Sequence, residues 1–200
     1  SQWMNLPATY LRKIVQNSGI VDEVIADLDA RERSRLVRAT SNKSAGKRVD
    51  VPKLEDAHLA GTDRAGECSL ILTEGDSAKA LAVAGLEVLG RDRYGVLPLR
   101  GKILNVRGAS PKVMTNNKEL TNLIKALGLT FGKSYTHQGG EALDGTDSDI
   151  QLGVHGQGMR YGKVLIMTDQ DPDGAHIKGL LINFFQHFWY RDFNRRNIHH

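Results

Sequence analysis

The chain has a single cysteine, Cys68, in 200 residues. No disulfide can close within it, so the fold has to rest on a buried core, and a reducing compartment is its natural setting. Long apolar runs are missing as well. Nothing approaches the roughly 18–20 residues that cross a bilayer as a helix, and residues 1–20 lack the basic start and apolar core of a signal peptide. A strong excess of one charge is also missing: the formal net charge is only +4, which permits a nucleic-acid partner without identifying one. The chain also starts with Ser1 rather than methionine and has no clear N-terminal beginning, which suggests a piece of something larger. With 40% hydrophobic and 25% charged residues, the composition is that of a soluble globular protein and excludes low-complexity disorder over most of its length. Two hundred residues suffice for one sizeable α/β domain plus an appendage.

Residues 1–52 read as the end of a preceding unit. Tyr10, Leu11, Ile14 and Val15 have helical spacing, and residues 21–36 predict a second, highly charged amphipathic helix. Residues 38–48, basic and rich in small polar residues, read as a flexible linker. The pattern then changes. Residues 68–73 form a short apolar run that ends in Glu74-Gly75-Asp76-Ser77. A helix over 77–89 follows, with Asp76 or Ser77 as N-cap and Leu81, Ala82, Val88 and Leu89 among its apolar positions. Residues 94–99 predict a second strand, ending in Arg100-Gly101-Lys102. Asn117 caps a helix with the apolar face Leu120, Leu123, Ile124 and Leu127, stopped by Gly128. Residues 133–160 are rich in Gly, Asp, Ser, Gln and His without periodicity and predict a long loop or flexible insertion. Residues 164–168 form a buried-type strand, and a final helix starts near Asp173. Its apolar face is Ile177, Leu180, Leu181, Phe184, Phe185 and Phe188. Strands alternating with helices imply a parallel sheet flanked by helices, whose ligand sites lie at the carboxyl ends of the strands. The acidic motifs sit at those ends.

Asp169, Asp171 and Asp173 alternate, so their side chains can converge in an extended turn. Three carboxylates that close repel one another unless a cation neutralises them. Hard oxygen donors select Mg²⁺ or Ca²⁺, with Mn²⁺ tolerated, over Zn²⁺. Glu74, at the end of the first strand, can add a fourth carboxylate from across the sheet. The run Asp-Gln-Asp-Pro-Asp-Gly also matches the start of an EF-hand loop. That loop requires a bidentate Glu at its twelfth position, which here is Leu180, and an entering helix where this sequence predicts a strand. Capping of the last helix accounts for Asp173, not for all three Asp residues. Arg100 and Lys102, at the end of the second strand, are anion donors. Beside metal-bound carboxylates they make up the inventory of phosphoryl chemistry.

Three segments carry a resemblance: Glu-Gly-Asp-Ser-Ala at 74–78, Pro-Leu-Arg-Gly-Lys-Ile-Leu-Asn-Val at 98–106, and Thr-Asp-Gln-Asp-Pro-Asp-Gly at 168–174. Together they resemble the Toprim domain of type IIA DNA topoisomerases, a Rossmann-like α/β fold. The stretches at 90–96 and 176–185 look more like eukaryotic topoisomerase II than bacterial gyrase. The resemblance is dense from Lys53 to about Phe188 and implies a Toprim domain over residues 53–190, with a flexible insertion at 136–160 and a divergent tail at 191–200. It implies that Glu74, Asp169 and Asp171 hold the catalytic Mg²⁺, with Asp173 near a second metal position. It places Arg100, Lys102 and Asn105 by the scissile phosphate, and Gly75 and Asp76 along the cleavage pocket. Glu74, Asp169 and Lys102 are then the catalytic residues of this part. In such enzymes a tyrosine in a later domain forms the tyrosyl–phosphate link to double-stranded DNA, an earlier domain uses ATP, and the protein is a homodimer of the nucleus, an organellar form being the alternative. Arg160-Tyr161 imitates the Arg-Tyr pair of that nucleophile, but directly precedes a core strand and reads as structural. Two other functions remain open at this point. A primase-like or nuclease-like Toprim protein would cut linear DNA without a covalent adduct. A truncated, non-catalytic product would bind DNA or a topoisomerase partner.

Overall fold

Four consecutive β-branched or leucine side chains between Ser69 and Glu74 suit a strand buried on both faces. In the computed structural model this strand, β1 (Ser69–Glu74), lies inside the sheet, flanked by β2 (Tyr94–Leu99) and β4 (Lys163–Met167), both parallel to it. The structure describes residues 7, 9, 19–40, 49–133, 135, 149–151 and 158–189. Strand β3 (Asp149–Gln151) pairs antiparallel with β4, giving the order β2-β1-β4-β3. This is the predicted parallel sheet with one antiparallel edge strand added. Residues 149–151 were expected to lie in a loop; three residues are too few to show a period, and the ladder bonds of the β4 edge supply their order. The expected helix around Tyr10, the linker after residue 40, most of the 136–160 insertion and the 191–200 tail lie outside the described residues.

The alternation of side chains divides the core between the two faces of the sheet. Leu70, Leu72, Leu97, Leu99 and Val164 join the larger cluster, which also holds the buried faces of α4 (Lys118–Leu127) and α5 (Pro172–Trp189). Ile71 and Val96 face the other way and meet Ala82 and Leu86 of α2 (Gly75–Leu89). The predicted faces of α4 and α5 are buried as expected: Leu120, Leu123, Ile124 and Leu127 on one, Ile177, Leu180, Leu181, Phe184 and Phe185 on the other. Asn117 accepts from the Leu120 N–H at 3.0 Å, and Gly128 closes α4 with φ +73°. For α2 the expected face holds only at Ala82, which is buried. Leu81, Val88 and Leu89 are 66%, 89% and 64% exposed, because only the narrow Ala82–Leu86 stripe can reach the sheet.

Several boundaries also differ. Helix α2 begins at Gly75 rather than Ser77, and Glu74 takes the N-cap position without a capping side-chain bond. Gly75, with φ +80°, makes the turn directly from strand to helix. Helix α1 (Ile20–Thr40) runs on to Thr40, through residues assigned to the linker. Its last turns anchor it: Leu36 is buried in the main core, whereas Val21, Val24, Ile25 and Leu28 are exposed. Helix α3 (Pro111–Asn116) was not foreseen, although Ser110 followed by Pro111 is a start signal.

A candidate metal and phosphate site at the sheet edge

Register decides which residues meet at the carboxyl edge of the sheet. Glu74 is level with Leu99, and Thr73 with Met167. The chain therefore leaves β1 at Gly75, β2 at Arg100 and β4 at Thr168-Asp169, all on one side. Helix α5 starts there too. Pro172 occupies its first position, and the Asp171 carboxylate accepts from the Gly174 N–H at 2.7 Å. The cap is therefore Asp171, not Asp173 as first expected. Gly174 is needed for this entry, since a Cβ on it would lie 2.1 Å from the Asp169 carbonyl oxygen.

The four predicted metal ligands are in different states. Among the described residues, Glu74 Oε2 is buried and has no hydrogen-bond partner. The Asp169 side chain is exposed and makes no ion pair or hydrogen bond among the described residues. Asp171 caps α5. Asp173 forms an ion pair with Lys102 at 2.8 Å, and the Lys102 ammonium beside it holds its carboxyl below the usual range. Among the described residues, no three His, Cys, Asp or Glu side chains are grouped closely enough to hold a metal ion as they stand. The buried, unpartnered Glu74 oxygen is nevertheless what a ligand position needs. A carboxylate oxygen taken out of water without a donor is costly unless a cation or proton meets it.

The predicted phosphate residues line the same edge. The loop after β2 is tied to α5 twice, by Lys102–Asp173 and by the Asn183 amide, which donates to Asn105 Oδ1 at 3.0 Å. Asn105 Oδ1 also accepts from the Arg107 N–H at 3.1 Å, which fixes the turn. The Arg100 N–H donates to Glu119 at 3.5 Å, while its guanidinium has no ion-pair partner among the described residues. Gly75 and Asp76 sit at the first turn of α2. Asp76 is paired with Lys53, whose ammonium, followed by Arg100 and Lys79, lowers its carboxyl. Lys53, Glu119 and Asn183 were missed by the sequence reading, because each lies outside the motif it supports and no periodicity marks it.

Tyr161 is fully buried, consistent with its structural reading. Its hydroxyl donates to Asp56, accepts from the Ala57 N–H at 3.0 Å, and stays protonated because burial and Asp56 push its ionisation far up. Arg160, also buried, pairs with the same carboxylate and donates to the Ala126 carbonyl at 3.1 Å.

A parallel α/β sheet flanked by helices, with carboxylates and cations at its carboxyl edge, is a Rossmann-like arrangement. The Toprim domain family matches residues 69–200, and the chain belongs to that family. It is 50% identical over 177 residues to DNA topoisomerase 2-beta of Homo sapiens, covering 88% of this chain and 10% of that protein. It is 48% identical over 184 residues to DNA topoisomerase 2 of Drosophila melanogaster, covering 90% and 12%. Among solved structures it is similar to the DNA-binding, cleavage and re-ligation domain of Plasmodium falciparum topoisomerase II, with 48% identity and a TM-score of 0.60, over 72% of this chain and 18% of that one. The chain thus spans about a tenth of the length of the curated relatives it matches. No described helix is long and apolar enough to cross a membrane.

Proposed function

We propose that this chain is the Mg²⁺-binding Toprim part of an ATP-dependent type II DNA topoisomerase, which cuts and reseals double-stranded DNA through a tyrosyl–phosphate link. The observation that carries the reading is Glu74 Oε2, buried without a partner at the sheet edge that also holds Asp169. Glu74, Asp169 and Asp171 would hold the ion, and Asp173 would stand by a second position, where Mn²⁺ or Ca²⁺ can substitute for binding. A divalent ion there supplies charge neutralisation at a phosphate oxygen. Arg100, Lys102 and Asn105 act on the DNA itself: two cations and an amide fixed by α5 hold a phosphate against the edge, while Gly75 and Asp76 border the duplex.

By the same reading the nucleophilic tyrosine, the ATP site and most of a homodimer interface lie in other parts of such an enzyme. The chain alone then binds Mg²⁺ and DNA weakly and relaxes no supercoils. A nuclear location belongs to this proposal. In the full-length polypeptide, Glu74→Ala or Asp169→Ala should abolish DNA cleavage with little change in melting temperature. A folded variant that still cleaved normally would remove these residues from the site.

A further inference from the structure

Lys53 is the one described residue other than glycine with a positive φ, +64°. It stands in the turn Val51-Pro52-Lys53-Leu54, closed by the Leu54 N–H donating to the Val51 carbonyl at 3.2 Å. Proline at the second position and a left-handed third residue make the pattern of a type II turn, whose third position favours glycine. A lysine there is strained, because its Cβ crowds the following carbonyl. The turn leads into Glu55, which exchanges backbone hydrogen bonds with Val96 at 2.9 and 2.8 Å along the free edge of β2. The turn is therefore fixed, and the strained residue cannot relax by moving away.

Two ordinary explanations for this lysine fail. It adds nothing to the core, since its side chain is exposed. Its ion pair with Asp76 joins groups that are 39% and 65% exposed, and pairs of that kind contribute little to stability. The conformation does have one consequence: it lays the ammonium over the first turn of α2, beside the Glu74-Gly75-Asp76 entry. Arg100 also acts on the Asp76 carboxylate from the neighbouring loop.

We infer that Lys53 is a further phosphate-holding residue of this edge, set in place by a strained turn and by Asp76. The inference rests on the proposed function, in which the edge meets duplex DNA. Lys53, from the 51–54 turn, then forms a row of cations with Arg100 and Lys102, from the loop after β2. Asp76 holds the Lys53 side chain in the row before DNA arrives, which reduces the ordering cost on binding. Backbone strain retained at a binding surface is the expected signature of such a residue.

The test uses the full chain and a short DNA duplex, with binding followed by fluorescence anisotropy over a series of salt concentrations. Lys53→Gly suits the turn, so its melting temperature should be unchanged or higher. Its log K against log salt slope should be shallower by about 0.9, the release expected for one phosphate contact. Lys53→Arg should keep the wild-type slope. An unchanged slope in Lys53→Gly, with the slope of Lys102→Ala reduced, would overturn the inference and leave the proposed function standing. Salt-independent or absent binding by the wild-type chain would overturn both.

Discussion

Asp56, Arg160 and Tyr161 form one charged cluster of this domain, and Glu74, Asp169, Asp171 and Asp173 form the other. In the first, every group is met from inside the protein. The Asp56 carboxylate receives Arg160 on one oxygen and Tyr161 on the other, and Arg160 spends a further N–H on a carbonyl. The cluster clamps residues 56–61 onto the segment leading into β4, and its charges balance. In the second, Asp171 and Asp173 are met, but among the described residues Glu74 keeps a buried oxygen without a donor and Asp169 has no partner. Both are built on aspartates, so the presence of a carboxylate does not separate structure from function. Whether the charges are balanced internally does.

The sharpest break of this contrast is Asp56→Ala. It removes the carboxylate that meets the buried Arg160 guanidinium and should cost about 3 kcal/mol, as removal of one partner of a buried pair does. Urea denaturation measures it, and a loss under about 1 kcal/mol would show that the cluster does not clamp the fold. The counterpart on the other side is Glu74→Gln. Removing a buried, unsatisfied charge should leave stability unchanged or raise it by up to about 1 kcal/mol, the usual sign where a site is kept for function. A marked loss in the same denaturation experiment would mean that Glu74 has a structural partner after all. The smallest effect concerns pH. The carboxyls of Asp76 and Asp173 are lowered by Lys53 and Lys102 respectively. A folded value below the unfolded one contributes stability above the unfolded aspartate value of about 3.9, and that stability is lost as pH falls through the folded value. Melting temperature should therefore fall more steeply below about pH 4 in the wild type than in Lys53→Met or Lys102→Met. Equal slopes would show that these exposed pairs are not held in solution.

The contrast also explains what could be read in the sequence. The sheet, the helices α4 and α5 with their buried faces, and the three motifs were legible because each is a local pattern: an apolar run, a 3.6-residue period, a cap, an alternation of carboxylates. The gathering of Glu74, Arg100 and Asp169 at one edge followed from parallel topology alone. Less was legible where distant segments decide. The Asp56–Arg160 pair spans 104 residues, and nothing local marks Asp56 as its partner. Strand β3 exists because β4 has an edge to offer. The exposed side chains of Leu81, Val88 and Leu89 look like core in sequence, and only the width of the helix–sheet contact shows otherwise. The cap of α5 fell on Asp171 because Pro172 takes the first helical position, a signal that was present and was assigned two residues too late.

The proposed metal site rests on Glu74 and Asp169 acting together from two strands. Calorimetric titration of the full chain with Mg²⁺ at constant ionic strength tests that pairing directly. The expected result is weak, saturable binding in the wild type that falls about tenfold or more in both Glu74→Gln and Asp169→Asn, in the range of a lost ligand, with each variant still folded. Wild-type affinity in both variants would contradict a metal site at this edge.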